Sequence, residues 1–314
     1  PWQWKNRLVH VFASDIANRD VVYLGESKDL YSAQQSIRTL FNASNPNKLY
    51  TKTALSILNM GFVRGLSPYY MKSTPHITKW ITTLLEDDSY LNNNGFKMLG
   101  EIATVGYHNH YYEVLGRSNA HNKMFSALWR ENPFTKIKNG EKLSTMAALL
   151  HIDAQGNSLL NAYIKASPYT TATWIERYLN AYLSPLLHCF YAYELVFMPH
   201  GENLILVLKD CTPSYVLMKD ITEEVLVFNE TMYLPKHADR LFTKTSDKMK
   251  LLSLFTDVFD CFFRYIGQQL ETHCGYDSEL FWEAVAECIH TYQATHPEYE
   301  EKYERYNLFT ESFD

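Results

Sequence analysis

The sequence predicts an α+β chain in which a strand-rich first part, residues 1–140, is followed by a mainly helical second part, 141–314, with one small antiparallel sheet. Three observations predict it. Short β-like runs punctuated by Gly61, Gly65, Gly95 and Gly106 crowd the first part, and long apolar runs of helical period fill the second. Between two of those runs lies one hairpin-like pair of strands.

In the first part, Tyr50 to Leu58 and Lys97 to Tyr107 read as strands. Ile77, Trp80, Ile81, Leu84 and Leu85 follow the 3.6-residue period of one clear helix, and Thr74-Pro75 reads as its N-cap and first-turn proline. From about residue 140, Asn157 to Lys165, Thr173 to Glu194, Asp247 to Glu271 and Ser278 to His290 carry helical spacing. The segment from Asp247 is apolar almost all round, which marks a central core helix. Leu204 to Leu208 and Tyr215 to Met218 read as hairpin strands, joined by a turn containing Asp210 and Pro213.

Composition narrows the function classes. The 314 residues are 46% hydrophobic and 20% charged, enough for a large core. The formal charge is -6 with no block of Lys or Arg, so the electrostatic footprint of a nucleic-acid binder is missing. The most apolar stretch, Leu183 to Met198, is interrupted by Pro185, His188 and Glu194 and is too short and polar to span a bilayer. Five widely spaced cysteines form no CxxC pair, which fits a reducing cytoplasm and points to neither disulfides nor a zinc or iron–sulfur site. The start at Pro1-Trp2-Gln3-Trp4 has no initiator Met and reads as a fragment or a processed chain.

Three clusters could carry chemistry. His200-Gly201-Glu202-Asn203 is a polar tetrad dropped between apolar runs, so it is either a tightly satisfied turn or a site. Lys219-Asp220 closes the second hairpin strand and places a carboxylate across from Asn203, a pair that could hold Mg2+ through hard oxygen ligands. Ser36-Ile37-Arg38-Thr39, Lys52 and Arg64 together offer hydroxyls, guanidinium forks and an ammonium, the chemistry a triphosphate needs, although such residues are also ordinary solvated surface. His108-Asn109-His110 with Glu113 resembles a metal-ligand set, but no further His or Cys stands at zinc spacing, and a chance pair is the preferred reading.

Taken together, the segments resemble those of the NRPS-independent siderophore synthetases. Pro1-Trp2-Gln3-Trp4 is similar to the family's HPWQ segment, Ser36-Ile37-Arg38-Thr39 to its SxRT motif, and Lys52 to Ile57 with Arg64 to the strand and arginine that follow. Arg130-Glu131-Asn132-Pro133 resembles a further recurrent segment. His200 to Asn203 followed by Asp220 looks like the HGxN motif and its downstream Asp. The words around Ala181 to Glu194 and Val207 to Asp210 are similar to the hydroxamate branch, which makes desferrioxamine, bisucaberin, putrebactin and alcaligin.

The resemblance implies the remainder of a nucleotide-binding fingers domain, then a helical palm related to ferric-siderophore reductases. It implies an ATP-dependent ligase that adenylates a carboxylate, typically a succinyl arm on an N-hydroxylated diamine, and joins it to an amine with release of AMP and pyrophosphate. Ser36, Arg38, Thr39 and Lys52 would take the ATP phosphates. Arg64 and His200 would serve phosphate and substrate carboxylate as the catalytic pair, and Asn203 and Asp220 would face Mg2+ or the nucleotide. Met198 stands where many relatives carry an acidic residue, so Glu202 is the expected substitute on the metal. The expected partners are hydroxamate precursors, an N-terminal half preceding this chain, and a second copy in a homodimer. Two rival functions are a kinase-like phosphotransferase and a noncatalytic ferric-siderophore binding module. The kinase is disfavoured because Asn203 follows Glu202 directly, whereas those enzymes place their metal-binding Asn several residues after HGD.

Overall fold

The computed structural model describes residues 2–59, 61–116 and 118–310. Pro1 of the segment Pro1-Trp2-Gln3-Trp4 lies outside the described residues. In chain order the helices are α1 (Val9–Val11), α2 (Ala13–Ala17), α3 (Pro68–Asp87), α4 (Ser89–Asn93), α5 (His110–Val114), α6 (Leu159–Ala166), α7 (Thr171–Tyr193), α8 (Asp247–Phe255), α9 (Arg264–Cys274), α10 (Ser278–Thr295) and α11 (Glu300–Arg305). The strands are β1 (Tyr31–Ala33), β2 (Thr39–Asn42), β3 (Tyr50–Thr53), β4 (Leu58–Asn59), β5 (Phe62–Val63), β6 (Lys97–Met98), β7 (Glu101–Gly106), β8 (Ser126–Arg130), β9 (Glu141–Thr145), β10 (Leu195–Val196), β11 (Leu204–Lys209), β12 (Thr212–Met218) and β13 (Leu226–Val227). Two compact units result, one of residues 1–78 with 100–135 and one of 79–99 with 136–314.

The first unit is built on a five-stranded antiparallel sheet in the order β1-β2-β3-β8-β7. In β3 burial alternates with the pleat, so Tyr50 and Lys52 share the buried face. A helical stretch runs from Trp4 to Ala17, where short strands and turns were expected; Phe12, 1% exposed, anchors it against Tyr107, Tyr112 and Phe125. Helix α3 starts at Pro68, so Pro75 is an interior residue and not its first turn. A proline there cannot bond the carbonyl of residue 71. The Thr104 hydroxyl donates to the Met71 carbonyl instead, at 2.7 Å, and this remote substitute lets the helix begin early.

The second unit carries a four-stranded sheet in the order β6-β12-β11-β9, of which the β6–β12 edge pair is parallel and the rest antiparallel. The hairpin β11–β12 turns at Asp210 and Cys211, both with positive φ (50° and 58°), as a two-residue primed turn demands. Pro213 is therefore inside β12 and not in the turn. Helix α7 packs on β12 and α10, burying Trp174, Tyr178, Tyr182, Phe190 and Tyr191. The segment from Asp247 is helical throughout but widens to a π-helix over Thr256–Phe263 between α8 and α9.

Two polar knots close the buried end of α7. His188, 4% exposed, accepts or donates at both nitrogens, with Tyr292 Oη at 2.9 Å from Nδ1 and Asp88 Oδ2 at 3.0 Å from Nε2, and it stacks on Tyr90. The Tyr193 hydroxyl donates to the same Asp88 oxygen at 2.5 Å. Beyond it, Glu194 ends α7 in the left-handed region (φ 49°), and its carboxylate accepts from Lys250 Nζ and from the Tyr306 hydroxyl, each at 3.1 Å. Tyr191 Oη donates to the Tyr306 carbonyl at 2.9 Å, and Lys302 Nζ donates to the Tyr191 carbonyl at 2.7 Å.

Candidate active site

His200 to Asn203 form a turn between Pro199 and the start of β11, held to α7 by the Tyr182 hydroxyl, which donates to the Pro199 carbonyl at 2.9 Å. Gly201 is needed here for space, since a Cβ would meet the Phe262 ring at 3.0 Å and the Ala147 backbone at 3.1 Å. Its carbonyl accepts the Ala147 N–H at 2.8 Å. The turn is thus clamped from two sides.

Asn203, 3% exposed, is the hub. Its amide nitrogen donates to the Met198 carbonyl at 3.0 Å, lies 3.1 Å from His200 Nε2, and donates to the Glu224 carboxylate. Its carbonyl oxygen faces Lys219 Nζ at 3.5 Å, and the same ammonium donates to Asp220 Oδ2 at 3.0 Å. The β11–β12 register pairs Leu204 with Met218, which is why Lys219 and Asp220 arrive beside Asn203. Asp220 takes a positive φ of 57° to do so. Two hard oxygens, Asn203 Oδ1 and Asp220 Oδ2, therefore converge on one cation, the Lys219 ammonium. Glu202 is exposed, and its backbone N–H points at His200 Nδ1 at 3.3 Å.

Sequence reasoning missed two carboxylates here. Glu224 reaches Asn203 from 21 residues away, and Asp257, on the π-helical segment, is close enough to His200 to feel its charge. Burial pushes the Asp257 carboxyl up, partly offset by His200. Only the π-helix, a frequent companion of functional sites, could have flagged Asp257, and a π-helix leaves no sequence signature.

The first unit gathers the other predicted residues at one end of its sheet. Ser36 Oγ donates to Thr39 Oγ1 at 2.7 Å, and Thr39 pairs in register with Lys52, which is 5% exposed. Between them Ile37 sits at a φ of 51°, a strained place for a β-branched residue. The Arg38 guanidinium donates to the Gly65 carbonyl. Gly65 is also packed against Lys123, since a Cβ there would stand 2.7 Å from Lys123 Cβ. Its neighbour Arg64 bonds Asn59 Oδ1 at 2.7 Å through Nη2, while its buried Nε has no partner. In the recurrent segment, Glu131 accepts the Gly100 N–H at 2.8 Å, and Asn132 donates to the carbonyls of Pro46 and Lys48 at 2.5 and 3.1 Å. These two residues hold loops. His108 pairs with Glu113 at 2.5 Å, while Asn109 caps α5 and binds Asp15 at 2.8 Å; among the described residues no group of three or more His, Cys, Asp or Glu could hold a metal. No described helix is long and apolar enough to cross a membrane.

A fold of this kind is found in known proteins. Residues 1–151 match the model of the IucA / IucC family, and residues 172–314 match that of the ferric iron reductase FhuF-like transporter. The chain belongs to the IucA/IucC family. It is 53% identical over 314 residues to the putrebactin synthase of a Shewanella species, covering 100% of this chain and 50% of that protein. It superposes on the aerobactin synthetase IucC of Klebsiella pneumoniae with a TM-score of 0.90 at 27% identity, over 100% of this chain and 56% of that one. The ATP-bound aerobactin synthetase IucA of Klebsiella pneumoniae, 16% identical, shares the fold with a TM-score of 0.76 over 94% of this chain and 53% of that one. The chain spans about half the length of the curated relatives it matches.

Proposed function

We propose that this chain is the C-terminal, catalytic part of an ATP-dependent siderophore synthetase. It adenylates a carboxylate, the succinyl arm of an N-hydroxy-N-succinyl diamine, and condenses it with an amine to give a hydroxamate siderophore. The observation that carries the reading is the 53% identity with putrebactin synthase along the whole chain. The ATP bound to a relative of the same fold supports nucleotide use.

In this reading Ser36, Arg38, Thr39, Lys52 and Arg64 receive the ATP phosphates. Charged donors to phosphate oxygens form short, strong contacts, and Lys52 offers an ammonium on the buried face of β3. His200 is the group assigned to the charge that builds on the adenylate, and it is positioned by the Asn203 amide and the Glu202 N–H. Asn203 and Asp220 are the oxygen donors that would hold Mg2+, whose chemistry is to neutralise phosphate charge. With Met198 apolar, Glu202 or the nearer Glu224 supplies the missing carboxylate. The same reading places the enzyme in the cytoplasm as a homodimer, with a further N-terminal half ahead of this chain.

Product analysis tests it. Full-length protein with ATP, Mg2+ and N-hydroxy-N-succinyl diamines of different chain length should release AMP and pyrophosphate and give amide-linked products by mass spectrometry. Release of ADP would favour a phosphotransferase instead.

A further inference from the structure

The second unit contains a cavity of about 400 Å3 beside the His200–Asn203 turn, a volume within the range of small-ligand sites. Its walls are apolar, formed by Phe197, Leu226, Met249 and Leu252. Its polar lining is acidic, with Glu223, Glu224 and Asp257, joined by Ser253 and Thr256 and by no Lys, Arg or His. Asp257 stands apart from the other two carboxylates. It has neither a hydrogen-bond nor an ion-pair partner among the described residues, although it is half-buried. Burial raises its carboxyl and His200 offsets this only in part, so a further cation placed in the cavity would be favoured. The larger cavity of about 710 Å3, at the tip of the β11–β12 hairpin, makes a useful contrast: Arg177 and Lys209 line it together with Glu176 and Asp210, so it prefers neither sign.

We propose that the smaller cavity binds the alkylammonium arm of the acceptor substrate, its methylene stem along Leu252 and Met249 and its ammonium against Asp257. Apolar length with a single-sign acidic lining is complementary to an aliphatic chain ending in a primary ammonium, and it repels carboxylates and phosphates. Glu224 ties this cavity to the turn, since its carboxylate also takes the Asn203 amide. An amine arriving here therefore lies next to the His200–Asn203 turn. The inference deepens the proposed reaction and rests on it for the identity of the ligand.

The probe is N-acetyl-1,5-diaminopentane, which has one ammonium, titrated into the full-length protein by calorimetry. N-Pentylacetamide and 6-acetamidohexanoate serve as neutral and anionic analogues with the same stem, and ATP binding is measured in parallel. Saturable binding of the ammonium probe, at least about tenfold tighter than either analogue, is expected. Asp257→Asn and Leu252→Trp should each weaken the probe by about tenfold or more, and Asp257→Glu should retain it. Equal binding of probe and neutral analogue, or undiminished probe binding in both weakening variants, would overturn the site. Probe binding without ATP binding in the wild type would support the cavity and overturn the reaction, whereas ATP binding without probe binding would do the reverse.

Discussion

His188 and His200 belong to the same unit and both have contacts at each ring nitrogen, but they differ in burial and in what holds them. His188 projects from the middle of α7, is 4% exposed, and has both ring nitrogens committed to Asp88 and Tyr292. His200 sits half-buried on a turn whose rigidity comes from others: Gly201 wedged against Phe262 and Ala147, and Asn203 bonded to the Met198 carbonyl. One imidazole stabilises the fold by filling a place. The other is held by the fold and keeps an accessible face. A histidine's surroundings, more than its position in a motif, thus separate a structural role from a chemical one.

The largest expected effects test that separation directly. His200→Ala should lower carboxylate-dependent ATP–pyrophosphate exchange by about a hundredfold or more, with the urea midpoint nearly unchanged. His188→Ala should show the opposite pattern, a loss of about 3 kcal/mol in urea unfolding, because it strands a buried carboxylate and the Tyr292 hydroxyl. If the two variants gave the same pattern, the contrast would be wrong. Next, Arg38→Ala and Lys52→Ala should weaken ATP binding roughly tenfold to hundredfold, the cost of one charge-assisted phosphate contact. Calorimetric ATP affinities equal to wild type in well-folded variants would remove these residues from the phosphate site.

A smaller effect is expected for Gly201→Ala. The new methyl must push aside an aromatic ring and backbone atoms at 3.0–3.1 Å, costing about 1–2 kcal/mol and displacing His200, so exchange activity should fall further than stability alone explains.

The smallest effect is a pH dependence. Burial pushes the His188 pKa below the usual imidazole range, against the opposing pull of Asp88. The neutral ring is therefore the form that favours folding. Its contribution is full above the unfolded-state pKa of about 6.5 and is lost as pH falls through the lower folded value. Burial would raise the Asp88 carboxyl, but Tyr193, the Leu91 N–H and His188 hold it below its usual range, so Asp88 loses its contribution only at lower pH still. Urea midpoints measured from pH 7.5 to 5.5 should decline in the wild type and flatten in His188→Gln, whose amide does not titrate.

What the sequence disclosed follows from how local each signal is. Helices α7 and α10 carry their apolar period within themselves, and their ends fall within a few residues of expectation. The start of α3 was not legible, because the hydroxyl that excuses Pro75 comes from Thr104, on another strand. The turn at Asp210 and Cys211 lacks the usual Gly or Asn; the Cys211 carbonyl is fixed by Trp174 Nε1 at 2.9 Å, a bond from a residue in α7. At the site, the His200–Asn203 tetrad was visible as polarity among apolar runs, and Asp220 as a carboxylate across a hairpin. Lys219 as the cation between them, and Glu224 and Asp257 around them, depend on packing that no spacing encodes.

The closure of α7 by Glu194 has a kinetic consequence. Its partner Tyr306 lies 112 residues further along the chain, and Lys250 lies 56 residues on. Bringing such distant groups together costs loop entropy before any contact repays it, and contacts of this separation slow folding. During synthesis the helix can form early, yet its most polar end gains its full set of partners only after Tyr306 has left the ribosome. Through that interval the half-made unit presents a buried-type carboxylate and a row of tyrosines to water, and this is the stage at which it is most exposed to chaperones and proteases.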